Sequence, residues 1–146
     1  MKHERRRTRG LALQVLYEID SVGHPAEEVL TRYINENGNL SQDSQGFLRR
    51  IVLGTVQFAA KMDGLIAGCA PEWPVNQLAI VDRNILRLAI WEFAVSNETP
   101  LKVAINEAVE LAKLYGSDST PRFVNGVLGT LAEREDEIRR LIQSSD

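Results

Sequence analysis

The stretch VAINEAVELAKLYGSDSTPRFVNGVLGTLA, residues 103–132, decides how this chain is to be read. Val103–Tyr115 reads as one helix, and Gly116 follows as its C-cap. Four residues later Thr120 offers an N-cap hydroxyl, with Pro121 at the first helical position. Val124, Val127, Leu128 and Leu131 then recur at spacings of three and four, and Ile138, Leu141 and Ile142 extend the stripe. The spacing predicts a single last helix from Pro121 to about Ile142.

The same pattern extends towards the N-terminus. In VDRNILRLAIWEF, residues 81–93, Val81, Ile85, Leu88, Ala89 and Phe93 share a face. Before it, GCAPEWPVNQL holds two prolines and must break the chain. A long helix is expected from about Gln45 to Ala67, with Ser41, Asp43 or Ser44 as cap. Its stripe is Phe47, Leu48, Ile51, Val52, Thr55, Val56 and Ala59. Gly54 interrupts that helix, which costs about 1 kcal/mol relative to alanine, so close helix–helix approach is expected there. Pro25 opens a shorter helix with Glu27 and Glu28 in its first turn. Leu11, Ala12, Val15, Leu16 and Ile19 give the first helix its apolar face. No strand is expected. The fold class is all-α: one domain over residues 1–146, a compact bundle of six to seven helices.

Composition narrows the function. The 146 residues are 44% hydrophobic and 25% charged, ordinary for a globular protein. Lone Cys69 permits no internal disulfide, and a reducing, cytoplasmic setting fits. His3 and His24 lack metal-ligand spacing, and no nucleophile, zinc or phosphate-loop motif occurs, so no catalytic residue, metal or cofactor is expected. Glu107 and Glu110 share a helix face near Lys113 and read as a solvated face rather than a cation site. Cys69 reads as a small semi-buried thiol. The apolar run Leu11–Tyr17 is short, contains Gln14 and is followed by Glu18 and Asp20, which argues against a signal peptide. Uncharged runs such as Ile51–Ala60 and Gly64–Pro71 fall far short of a membrane span, and no membrane partner is expected.

Charge is unevenly placed. Lys2, Arg5, Arg6, Arg7 and Arg9 against Glu4 give residues 1–10 a charge of +4, so a net charge of −3 leaves −7 on the remainder. Cations at a helix start each cost roughly 0.3–1 kcal/mol. A phosphate partner would reverse that cost, because guanidinium donates two parallel hydrogen bonds to it. Residues 1–9 are therefore expected as a mobile basic tail that orders on RNA, with a purely solubilising tail as the alternative. The acidic body disfavours long duplexes and favours a short single strand, bound with a second protein's help. Base stacking needs exposed aromatics, for which Tyr17, Phe123 and Trp73 are candidates. Phe123 stands beside Arg122 at a helix start, where backbone N–H groups face outward.

RRRTRGLALQVLY, VDRNILRLAIWEF and above all residues 103–132 resemble the NusB family of bacterial transcription antitermination factors, almost end to end. Gly68–Ile80 matches poorly. The resemblance implies an all-helical, non-catalytic RNA-binding fold. It implies binding of the single-stranded boxA element of ribosomal RNA operon transcripts, together with NusE, the S-ten-type ribosomal protein. It further implies a place in the RNA polymerase elongation complex with other Nus factors. RNA contacts carried over from the family fall on Arg5, Arg6, Arg7, Arg9, Gln14, Tyr17, Arg122 and Phe123, and Asp82 matches a position at the NusE contact. Relatives differ in dimerisation, so monomer and homodimer both stay open. Two features depart from the pattern: the loop Ser117, Asp118, Ser119 keeps one acid where many relatives carry two, and Pro121 replaces another residue. The same helical fold resembles the front domain of rRNA cytosine methyltransferases, so an accessory RNA-binding domain is one alternative. A protein-interaction module is another.

Overall fold

The computed structural model describes residues 2–72 and 74–144. Trp73, a candidate stacking residue, lies outside the described residues. Among the described residues there are seven α-helices and no strand: α1 Lys2–Val22, α2 Ala26–Glu36, α3 Gln42–Cys69, α4 Ile80–Ile90, α5 Leu101–Tyr115, α6 Thr120–Ala132 and α7 Glu135–Gln143. A 3₁₀ turn, Val75–Gln77, precedes α4, and a π turn, Trp91–Val95, continues it.

The apolar stripes meet in one core. Phe47, Leu48, Ile51, Val52, Met62 and Ile66 make α3 its spine, enclosed by Leu13 and Leu16 of α1, Ile85, Leu86 and Leu88 of α4, and Leu128 and Leu131 of α6. By length and composition α3 could span a membrane. Here it packs against α1, α4, α6 and α7. Ser41 caps it, accepting the Ser44 N–H at 3.1 Å. Gly54 is where α3 meets the π turn: a Cβ there would lie 1.9 Å from Trp91 Nε1. Val56, expected in the stripe, is instead 42% exposed.

Lys2–Arg9 form the opening turns of α1, which is helical from Lys2 onward. One expectation at the other end of the chain is revised: the last helix is two helices. It breaks at Glu133 and Arg134, where Arg134 leaves helical geometry (φ −119°, ψ 31°). No glycine or proline marks that break; the tertiary contacts of α7 account for it. Once re-aimed, α7 places Arg139 Nε 3.0 Å from the Phe93 carbonyl and Gln143 Nε2 3.3 Å from that of Ala94. These are carbonyls of the π turn, where helical pairing is irregular. Ile138 and Ile142 stay buried, while Leu141 turns outward, 49% exposed.

Candidate nucleic-acid interface

The arginines that open α1 are held by carboxylates from distant parts of the chain. Arg9 is only 7% exposed. Its Nε and Nη2 donate to the buried Glu92 carboxylate at 2.8–3.1 Å, and Nη1 lies 3.5 Å from Glu107. Thr99 Oγ1 also donates to Glu92, at 2.8 Å. Glu92 reaches this position from the π turn. Arg6 donates twice to Glu107, at 3.0 and 2.8 Å. That carboxylate raises the Arg6 guanidinium above its ordinary value. Arg5 lies 4.0 Å over the Phe47 ring and 3.4 Å from Asp43. Arg7 donates to Asn39 Oδ1 at 2.8 Å on the exposed side. Glu4 accepts hydrogen bonds from Ser41 and Ser44, both at 2.5 Å, which hold its carboxyl below the ordinary range. The unfavourable cations at this helix start are thus offset from within the fold.

Glu107 is 6% exposed and bound to arginines, so it is not the solvated residue that its helix spacing suggested. Glu110 does behave as expected: it is paired with Lys113 at 3.1 Å.

The front of α6 is built differently. Gly116 follows α5 as its C-cap, but in extended rather than left-handed geometry (φ −92°, ψ −175°). Glycine is needed because a Cβ would lie 2.5 Å from Thr120 Cβ. Thr120 is not the N-cap. Ser119 holds that position without a side-chain bond. The Thr120 hydroxyl accepts the Ser117 N–H at 2.9 Å and donates to Asp82 Oδ1 at 2.9 Å. Asp82 therefore anchors the α5–α6 loop to α4. Arg122 is exposed and makes no ion pair or side-chain hydrogen bond among the described residues.

These two fronts share a groove. Arg5, Arg6 and Arg9 of α1, Glu107 of α5 and Arg122 of α6 line an open cavity of about 1000 Å³. Phe123 does not enter it. It lines a second hollow of about 320 Å³ with Cys69, Ala70 and Pro71, and Arg122 borders both. Burial there pushes the Cys69 thiol up. Gln14 lies outside the groove, its Nε2 3.4 Å from Tyr115 Oη. Tyr17 follows Gln14 by three residues, on the same helix face, and is 46% exposed. Gly10 lets Tyr115 cross α1, since a Cβ there would lie 2.8 Å from its hydroxyl.

Glu92, Tyr115, Asn106 and Asn125 were not singled out from the sequence. Only Glu92 left a signal, as the lone acid in the apolar run LAIWEF.

The NusB family model matches residues 6–133. This chain belongs to the NusB family. Transcription antitermination protein NusB of Roseiflexus castenholzii is 50% identical over 135 residues, covering 91% of this chain and 94% of that protein. NusB of Dehalococcoides mccartyi is 46% identical, with 91% and 92% covered. Among solved structures, T. maritima NusB superposes with a TM-score of 0.83 at 31% identity, covering 93% of this chain and 96% of that one. A crystal structure of antitermination factors NusB and NusE in complex with dsRNA gives 0.81 at 25% identity, covering 92% and 99%. The NusB family is one of transcription antitermination factors, and its members bind rather than catalyse.

Proposed function

We propose that this chain binds the boxA element of ribosomal RNA operon transcripts jointly with NusE, and so acts in the cytoplasm on the elongating RNA polymerase alongside other Nus factors. The observation that carries the reading is the shared groove: arginines from the start of α1 and Arg122 from the start of α6 border one cavity. A NusB–NusE–RNA complex with the same fold supports RNA and NusE as the partner classes. In this reading Arg5, Arg6, Arg7 and Arg122 meet phosphate, and Arg9 holds the groove's shape from beneath. Phe123, in its own hollow beside Arg122, and Tyr17 with Gln14 on the outer face of α1, offer stacking and edge contacts to bases flanking the groove. Asp82 fixes the α6 front while its helix meets the basic ribosomal protein.

The test is a titration of boxA RNA, a scrambled strand and a duplex, with and without NusE, at two salt concentrations. Preference for boxA, strengthened by NusE, is expected. Log affinity should fall with log salt at about −0.7 for each phosphate paired on a single strand. Equal affinity for boxA and scrambled RNA in both conditions would overturn the reading. Tighter binding to the duplex, the RNA form held in the related complex, would replace single-strand recognition.

A further inference from the structure

Most polar groups around the main groove already have partners inside the protein. Arg6 is bound to Glu107, Arg9 to Glu92, and Glu110 to Lys113. Two carboxamides are exceptions. Asn106 of α5 and Asn125 of α6 line the cavity from two different helices and are exposed. Neither makes a side-chain hydrogen bond among the described residues. Asn106 precedes Glu107 on α5, and Asn125 follows Arg122 by one helical turn.

A carboxamide carries a donor and an acceptor side by side, so it can pair with a base edge that presents the complementary couple. The α5 wall adds a bias. Glu110 is a half-exposed, acceptor-only group in the same cavity, and Lys113 takes only its Oε2. Its other carboxylate oxygen favours a base that offers an exocyclic amine and disfavours one that offers carbonyl oxygens, as uracil does. The geometry points to Asn106 and Asn125 as specificity-determining residues that read an unpaired adenine or cytosine, through its amine and the ring nitrogen beside it. This assignment rests on the RNA-binding reading above. It divides the labour of the groove: the guanidinium groups take backbone phosphates irrespective of sequence, and the α5–α6 carboxamides select the base.

The experiment uses the full chain with NusE and a short labelled single-stranded boxA RNA. Adenines are replaced one at a time by purine riboside, and cytosines by 2-pyrimidinone, each of which lacks the exocyclic amine. For the unsubstituted protein, at least one replacement should weaken binding by about tenfold, the scale of one lost bidentate base contact. In Asn106→Ala or Asn125→Ala that position-specific loss should shrink towards zero, with the salt slope and melting temperature unchanged. Retention of the full loss in both variants overturns the assignment. So does an equal weakening of every strand with a flatter salt slope, which would make these residues backbone contacts. Failure of the unsubstituted protein to bind any RNA overturns both this assignment and the reading beneath it, whereas normal binding without amine dependence overturns this assignment alone.

Discussion

The fronts of α1 and α6 both bring arginine to one groove, and they do so in opposite ways. At α1, Arg5, Arg6 and Arg9 are met by Asp43, Glu107 and Glu92. At α6, Arg122 has no such partner among the described residues. The comparison teaches that a run of arginines does not equal a run of free charges. Arg9, the deepest member of the cluster, belongs to the interior. Its ion pair joins the first helix to the π turn. Arg122, marked in the sequence only by its place beside Phe123 at a helix start, is the more available cation.

The largest effect should come from breaking the buried side of this contrast. Glu92→Ala removes the carboxylate that takes three hydrogen-bond contacts from Arg9 and leaves a cation in the core with Glu107 at 3.5 Å. Orphaning one member of such a pair costs about 3–5 kcal/mol. Urea unfolding should show that loss, whereas Arg122→Ala should stay within about 0.5 kcal/mol of the unsubstituted protein. Equal stability changes in the two variants would erase the distinction between the fronts.

Thr120→Val comes next. It keeps the side-chain shape but removes the hydroxyl that links Ser117 N–H to Asp82. The loss should be about 1–3 kcal/mol, because the Asp82 oxygen and a backbone N–H lose a shared partner. RNA affinity measured on the same variant should fall as well, since Arg122 lies two residues beyond the anchor. Unchanged stability would mean that the α6 front does not depend on that link.

Arg122→Ala itself should weaken RNA binding by about tenfold and flatten the salt slope by about 0.7, the loss of one phosphate contact on a single strand. Arg6→Ala should cost less affinity, because phosphate must compete with Glu107 for that guanidinium. Salt titrations of both variants rank the two fronts directly. A larger loss from Arg6→Ala would reverse the ranking.

The same contrast explains what was legible in the sequence. Helix boundaries set by glycine and proline were readable, as at Pro25 or at Gly116 and Pro121, because the backbone constraint is local. The close approach at Gly54 was readable because a glycine inside a helix needs a reason. The break at Glu133 and Arg134 was not, because its cause lies in α7's contacts with the π turn. In the site, the arginine cluster and the Arg122–Phe123 pair were visible. The partners that hold Arg9 and Arg6 stand 83 and 101 positions away, and no local pattern joins them. Phe123 was visible as an aromatic beside a cation, but which side of α6 it takes is a matter of helix rotation, settled only by packing.

The smallest effect concerns acid, and it compares the two ends of α1. At its far end Asp20 accepts from Arg83 at 2.7 Å and from Asn84 at 2.9 Å, with Arg87 at 3.2 Å. Burial pushes the Asp20 carboxyl up, but Arg83, Asn84 and Arg87 outweigh it and hold it below its ordinary value. Glu4, at the near end, is lowered by Ser41 and Ser44. A carboxyl whose folded value lies below its unfolded one adds stability above the unfolded value, and that stability is lost as pH falls through the folded value. Unfolding free energy should therefore hold steady around neutrality and decline as pH drops through and below the usual carboxylate range. Asp20→Asn should start lower and show a shallower acid decline. Glu4→Gln should change the acid limb less, because its carboxylate has hydroxyl partners where Asp20 has guanidinium groups. RNA affinity measured around neutral pH should stay flat, because the groove is lined by guanidinium, carboxylate, ammonium and carboxamide groups and by no histidine. A steep change in affinity there would bring in a titrating group from outside the groove.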